Sequence, residues 1–535
     1  MTQIAMKRVA VKRVAIFGLV LVAAATALAV SARDAGNQPP NGPIPITLFG
    51  MHINRPVTPW PAVRFGALRL WDTGTGWSQI NNAPGKFEWR MLDRWLQAAK
   101  EHNVDVMYTM GRTPPWAQCG SDTPSSCQQQ DGGGNCAYNS NVIPNGGGNG
   151  QCYWPGDLNK DGSGTNQHWK DWVTALVKHS VEGGSGRARI KFYEIWNEYN
   201  VSPPTGGGMW QGTDAQLARM TKDTKCIVQG LGADCHQKGI DPEALIVTPS
   251  PVLGVEGVNR SMKSFLAAGG GDGADAIGIH TYVGPDAALM GTLIETVQKD
   301  ALSHYQQTGK PLFSTEGSWG ARSNFYDSDE RAGYVAQAYM IHWARGVSRF
   351  YWYIWEDLIV NTAQQQPRSQ PEGYELPKPP GQNFLPSENF LQFGRPGPWQ
   401  RRGPYGGQRR PPGGQQPVRP SQRGCSASEG NGEGLCKDAV AYGEVEKWMV
   451  GAVMSDPCKK TGPGEVWGCG FTRDGGYKAL AVWDSSKKCQ QGKCETRDLK
   501  VDNTYVHYRD LDGATHEITS HTVPAGYKPI LLENR

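Results

Sequence analysis

The chain has 535 residues, 38% hydrophobic and 19% charged, enough for one large core plus a smaller module. A net charge of only +4 over this length gives no case for nucleic acid or a charged membrane surface as partner. The 68 Gly and 37 Pro call for long loops, and the 19 Trp suit either core packing or flat apolar faces for a ligand.

At the N-terminus, Lys7, Arg8, Lys12 and Arg13 precede an apolar run from Val14 to Val30, and Val30-Ser31-Ala32 offers a small-residue cleavage site before Arg33. Residues 1–32 therefore read as a signal peptide, followed by a linker over 33–44. An uncleaved anchor is the alternative, because the run is close to the lower limit for crossing a bilayer. No second apolar span follows, so the expected location is secreted or periplasmic, with no stable membrane span after cleavage. All twelve cysteines lie beyond the signal. Nearest-neighbour pairing gives Cys119–Cys127, Cys136–Cys152, Cys226–Cys235, Cys425–Cys436, Cys458–Cys469 and Cys489–Cys494 as loop-stapling disulfides. A zinc site would want paired CxxC units or clustered histidines. Neither occurs, and no metal or cofactor is expected.

Short β-rich runs then alternate with helical patterns, the signature of a parallel α/β fold. The predicted strands are Ile46–Ile53, Ala67–Asp72, Asp105–Met110, Ile190–Trp196, Leu245–Pro249, Ala276–Thr281, Pro311–Thr315 and Arg349–Trp355. Helical periodicity is predicted over Trp89–His102, His168–Val181, Asp214–Gln229, Met290–Gln307 and Glu330–Arg345. The first crossover, around Thr58–Arg64, is short. Eight such units predict a (β/α)8 barrel over residues 45–360, with active groups at the C-terminal strand ends. A long Gly- and Cys-rich loop, 112–165, follows the third strand. Residues 361–424 form an insertion with eight Arg and one Lys against three Glu, a local charge of about +6, whose composition cannot bury a core. It leaves from the active face and either overhangs the cleft, favouring an acidic glycan, or serves as a solvated linker. Residues 425–457 carry the last barrel helix, placed at Glu444–Met454. Over 458–535, short runs at Tyr477–Trp483, Thr504–Tyr508, Ile518–Val523 and Pro529–Leu532, with turns at Asp474-Gly475-Gly476 and Asp510-Leu511-Asp512-Gly513, predict a small β-sandwich.

Two strands end on a glutamate. Phe192-Tyr193-Glu194-Ile195-Trp196-Asn197-Glu198 closes the fourth, and Pro311-Leu312-Phe313-Ser314-Thr315-Glu316 the seventh. A carboxylate at the end of an apolar strand is costly without a partner or a task, and a core ion pair is the plain alternative for either alone. Two of them facing one barrel mouth are what glycoside hydrolysis needs: an acid for the leaving oxygen and a nucleophile for the anomeric carbon. For retention their carboxyl groups should lie about 5 to 5.5 Å apart.

With these motifs the chain resembles glycoside hydrolase clan A, and within it family 39. Trp196-Asn197-Glu198 is similar to the strand-four motif, which implies Glu198 as acid/base and Asn197 as the contact to the sugar 2-hydroxyl. Glu316 resembles the strand-seven nucleophile. His280 and Tyr282 resemble the strand-six pair beside it, Trp355 the strand-eight aromatic platform, with Trp352 as a neighbour, and Arg69 the strand-two basic residue. The early barrel from Arg69 to Trp116, including Trp71-Asp72, Gly85-Lys86-Phe87-Glu88-Trp89 and Thr113-Pro114-Pro115-Trp116, is similar as well. Tyr199 departs from the Pro common in the family. The resemblance implies a retaining β-glycosidase acting on a polysaccharide or oligosaccharide. A non-catalytic carbohydrate-binding barrel and a surface interaction protein working through the insertion are the alternatives. His280 could also be a core histidine, Tyr282 and Trp355 barrel lining, and Asn197 a turn cap. Asp157, Asn159 and Asp161 before Gly162 have calcium-loop spacing, but His168 stands where the last oxygen ligand belongs; a turn leading into the helix is the other reading.

Overall fold

The computed structural model describes residues 38–118, 153–201, 209–320, 327–360, 424–426, 430–462, 464–490 and 492–535. The predicted signal segment, nearly all of the 361–424 insertion, the middle of the 112–165 loop and the pairs Cys119–Cys127 and Cys136–Cys152 lie outside the described residues.

Eight parallel strands make the barrel: β1 (Phe49–Met51), β2 (Ala67–Leu70), β3 (Asp105–Thr109), β4 (Ile190–Glu194), β5 (Leu245–Val247), β6 (Ile277–His280), β7 (Leu312–Gly317) and β8 (Val347–Trp352). Their order runs 5-4-3-2-1-8-7-6, and a parallel bridge from Val247 to Ala276 closes the ring. Between them run α1 (Arg90–Glu101), α2 (Gln167–Glu182), α3 (Asp214–Gln229), α4 (Gly254–Ala267), α5 (Ala288–Thr296), α6 (Ser328–Ala344) and, after β8, α7 (Lys437–Met449). No helix joins β1 to β2. α1 shows why these segments fold as they do: Leu92, Trp95, Leu96 and Ala99 are its buried residues, one apolar stripe at helical spacing. α3 starts on a capping box, Thr213 with Gln216, and ends on the left-handed Gly230.

One helix was not predicted and two expected elements moved. The unpredicted helix, α4, carries Gly254 and Gly257 in its first turn, which hides its period. α5 passes into a π-helical stretch, Val297–Leu302, short of the expected end at Gln307. The last barrel helix begins at Lys437, seven residues before the expected Glu444, and the chain turns back into a strand at Val453.

That strand, Val453–Lys460, opens a six-stranded antiparallel sheet with Val466–Arg473, Tyr477–Asp484, Ile530–Glu533, His507–Arg509 and Thr515–Glu517. It contains Pro457 and was not foreseen; it lies at the sheet edge, where a missing N–H is harmless. A two-stranded ribbon, Thr496–Lys500 with Thr522–Gly526, covers one face around Val482, Val523, Ile530 and Leu532, giving the small sandwich. Both expected turns form, with Gly475, Gly476 and Gly513 at positive φ. Among the described residues four disulfides are present: Cys226–Cys235, Cys425–Cys436, Cys458–Cys469 and Cys489–Cys494.

The barrel and the sandwich meet on α6. Gln337 Nε2 donates to the Tyr527 carbonyl at 2.8 Å, and Arg345 Nη1 to the Cys458 carbonyl at 3.0 Å. Tyr339 fills the barrel side of the same helix, stacked on Phe49 at 4.4 Å. A Cβ on Gly333 would sit 2.7 Å from the buried Tyr527 ring and 3.2 Å from its carbonyl oxygen. Gly333→Ala should therefore cost about 1–3 kcal/mol by prising this contact apart, read as a lowered melting temperature together with new proteolytic cleavage between α6 and the sandwich.

Candidate active site

Alternation along the strands sorts the barrel interior into layers. The lowest holds Ala67, Met107, Phe192, Val247, Ala276, Phe313 and Tyr351, all buried. Two residues further up β2 and β4 stand Arg69 and Glu194, both completely buried. Arg69 Nε donates to Glu194 Oε2 at 2.7 Å, Nη1 to Glu316 Oε1 at 2.6 Å, and Nη2 to Asn197 Oδ1 at 2.7 Å. Thr109 Oγ1 donates to Glu194 Oε2 at 2.6 Å, and Ser250 Oγ donates to Glu194 Oε1. One guanidinium thus ties β2, β4 and β7 together, with the planar fork geometry that only Arg supplies. Gly278 on β6 makes room: a Cβ there would meet Ser250 Oγ at 2.3 Å and Glu194 Oε1 at 3.3 Å.

Above this layer lies the mouth. Glu316 is 4% exposed and takes a second hydrogen bond from the Tyr282 hydroxyl at 3.0 Å. Glu198 stands across from it, its side chain 18% exposed. The His280 ring lies between them, with Nδ1 3.1 Å from Glu198 Oε1 and 3.6 Å from Glu316 Oε2. One carboxylate oxygen of each Glu and a His280 nitrogen all lie within 4.8 Å of one another. Burial, with Asp72 adding to it against Arg69, raises the Glu198 carboxyl to about 7. Burial also raises Glu316, while His280 and Arg69 pull it back. Burial pushes His280 down to about 4, so the ring is neutral near pH 7. His52 on the β1 side is likewise held neutral by burial and by Arg69, and its Nε2 donates to the Thr315 carbonyl at 3.0 Å.

The structure therefore brings Glu198, Glu316, Asn197, His280, Tyr282 and Arg69 into one cluster. Trp71 is buried beneath the Arg112 guanidinium, 4.7 Å from its ring. Trp355 does not join: β8 ends at Trp352, and Trp355 is packed into the 3-10 turn Trp355–Asp357 at 2% exposure, with no ring face open. Trp352 is fully buried. Continuing the inward alternation Arg349, Tyr351 leads instead to Tyr353, whose hydroxyl donates to Asp72 Oδ2 at 3.2 Å and accepts from Asn54 Nδ2 at 2.9 Å. Tyr353, Asp72, Arg112 and Glu194 are the cleft residues missed in the sequence. Counting in twos from Phe192 and Arg349 would have flagged Glu194 and Tyr353.

Asp157 caps α2, accepting from Thr165 Oγ1 at 2.7 Å and from the Gln167 and His168 amides, and Asp161 accepts from Ser163. These are the bonds of a turn entering a helix. Glu198, His280 and Glu316 offer donor atoms close enough for a cation, but the Arg69 guanidinium already neutralises Glu316 from 2.6 Å, which opposes a second positive charge.

The chain matches no protein-family model and no curated protein in sequence. Among solved structures it is similar to a family 30 endoxylanase from Clostridium papyrosolvens, at 13% identity and TM-score 0.47, over 93% of this chain and 97% of that one. It is similar to a glucosidase from Croceicoccus marinus at 12% identity and TM-score 0.48, over 94% and 97%. A family 44 xyloglucanase from Paenibacillus polymyxa follows at 10% identity and TM-score 0.44, over 92% and 96%. Likenesses this distant say nothing about the chemistry of this chain, which rests on its own residues.

Arg69→Met removes the only cation facing Glu194 and contacting Glu316 among the described residues. Breaking such a buried pair should cost about 3–5 kcal/mol at pH 7. Without Arg69, Glu316, already raised by burial, has a folded pKa further above its unfolded one, so the deficit should shrink as pH falls and it protonates. Urea unfolding of both proteins at pH 7 and pH 5 checks this; a deficit of equal size at both would contradict it.

Proposed function

We propose that the chain is a retaining glycoside hydrolase that cleaves β-glycosidic bonds of a polysaccharide or oligosaccharide, with Glu316 as nucleophile and Glu198 as general acid/base. The observation that carries this reading is the pair itself: two carboxylates from the ends of β4 and β7, with oxygens within 4.8 Å of each other. That is the short spacing of a double displacement, where an inverting pair would leave room for a water, at about 6.5–9.5 Å. Their surroundings divide the roles. Glu316 is gripped by Arg69 and Tyr282, two donors that aim it and favour its ionised form against the burial that raises it. Glu198, raised to about 7, keeps a proton to give.

In the first step a Glu316 oxygen attacks the anomeric carbon as the glycosidic C–O bond breaks, and the Glu198 proton passes to the departing oxygen. In the second step Glu198, now a carboxylate, takes a proton from water. The resulting hydroxide attacks the same carbon and Glu316 leaves. His280, neutral and 3.1 Å from Glu198, orients that carboxyl without competing for its proton. Because Arg69 occupies Asn197 Oδ1, the amide NH2 of Asn197 is the end left to meet a sugar hydroxyl. The strand-four motif Trp196-Asn197-Glu198 and the Glu316 placement support clan A, with family 39 as the nearest affinity. The disulfides, together with the signal-like N-terminus, support export.

With an activated aryl β-glycoside, Glu316→Ala should show no measurable turnover. Glu198→Ala should glycosylate and then stall, and added azide should restore turnover and yield a β-glycosyl azide. An α-azide from Glu198→Ala and a β-azide from Glu316→Ala would reverse the roles. In the wild type, kcat/KM should fall as pH rises through about 7, because the required proton on Glu198 is lost there. A pH profile flat to pH 9 would remove Glu198 as the acid.

A further inference from the structure

Three side chains in succession around the barrel mouth occupy backbone positions that suit glycine. Asp72 follows β2 with φ 59°, Arg112 follows β3 with φ 63°, and Glu198 follows β4 with φ 44°. A left-handed conformation strains residues that carry a Cβ, Arg and Glu more than Asp. Such outliers persist where the side chain is needed for something else. For Glu198 that need is the acid. Asp72 and Arg112 touch no reacting atom in the two chemical steps, yet they form a defined device. Arg112 Nη2 donates to Asp72 Oδ1 at 2.5 Å, and the Tyr353 hydroxyl donates to Asp72 Oδ2 at 3.2 Å. The guanidinium lies over Trp71. Tyr353 is itself held by Asn54, whose backbone amide donates to Glu356 Oε1 at 3.1 Å. The pair is not a buried brace, since its side chains keep 27% and 29% exposure. Ion pairs this open add little to stability.

Resting on the reading of Glu198 and Glu316 as a glycosidase pair, we propose that Asp72 and Arg112 are the hydroxyl-reading fork of the sugar subsite beside Glu198, and that the sugar it takes is uncharged. A carboxylate only accepts hydrogen bonds and a guanidinium only donates. Side by side, they match a vicinal diol in which one hydroxyl donates to Asp72 and its neighbour accepts from Arg112. Charge sets the class of sugar. Among the described cleft residues, Arg69 and Arg112 face Asp72, Glu194 and Glu316, with Glu198 protonated and His280 neutral. The cleft is thus negative by about one charge, and a uronate would meet repulsion in a poorly solvated space. This preference runs opposite to the one the basic 361–424 segment suggests, so the two are separable.

The test uses the full-length protein, Asp72→Gly and Arg112→Gly. The substrates are the 2,4-dinitrophenyl β-glycosides of glucose, xylose, galactose, mannose and glucuronic acid, with the matching soluble β-linked polysaccharides. Wild type should favour a neutral sugar over the glucuronide at least tenfold in kcat/KM. Each glycine variant should lose about 10- to 100-fold in kcat/KM on that sugar. Its melting temperature should stay level or rise, because the strained turn is relieved. Deoxygenating the sugar at the hydroxyl that meets the fork should abolish the difference between wild type and variant. Variants within twofold of an active wild type, a melting temperature that falls along with activity, or preference for the glucuronide would each overturn the fork while leaving the carboxylate pair intact. A wild type that turns over no member of the panel and is not labelled at Glu316 by a 2-fluoro glycoside would overturn the parent reading, and the fork with it.

Discussion

The buried guanidinium of Arg69 is the interaction on which the rest of the site depends. It carries one full charge into a barrel interior from which water is excluded, and only the three acceptors around it make that tolerable. Glu194, wholly buried and bonded also to Thr109 and Ser250, is its permanent partner. Glu316 is its second partner, and Asn197 the third. Because the bonds leave different nitrogens of one rigid plane, the positions of β2, β4 and β7 are fixed relative to one another. The distance between the two outer glutamates follows from that plane rather than from any loop.

A second constraint operates one level up. The mouth is built from strand ends that turn in left-handed conformations at residues other than glycine. Local backbone comfort is given up there, while the layer beneath is satisfied: apolar packing below, a complete ion-pair network in the middle. That ordering is the usual division in a barrel between a face that confers stability and a face that does chemistry.

Much of this was legible in the sequence for a simple reason. Parallel strands buried on both faces read as short apolar runs, so a Glu closing such a run is conspicuous, and Glu198 and Glu316 were found that way. Arg69 stood out less because its partners are distant in the chain: 125 residues separate it from Glu194 and 247 from Glu316. Trp355 misled because the strand was drawn three residues too long; past Tyr353 the chain enters a 3-10 turn and the alternation no longer dictates direction. Asp72 and Arg112 escaped because nothing in composition announces a positive φ at a charged residue. The edge strand Val453–Lys460 was hidden by its proline and charges, features that protect an exposed edge and disguise it at once.

The helix α6 has buried residues along nearly its whole length, unlike α1 with its single buried stripe. Its inner side carries Tyr339 and His342; His342 reaches Thr281, the neighbour of both His280 and Tyr282, at 3.0 Å. Its outer side is roofed by Tyr527 and the strand that carries Cys458. The sandwich is thus no detachable appendage. A cut at the junction would leave a helix with two apolar sides and only one cover, directly behind the strand-six residues of the site. For anyone redesigning this chain, barrel and sandwich are a single part: the sandwich cannot be traded for a different module without first giving α6 a new polar face.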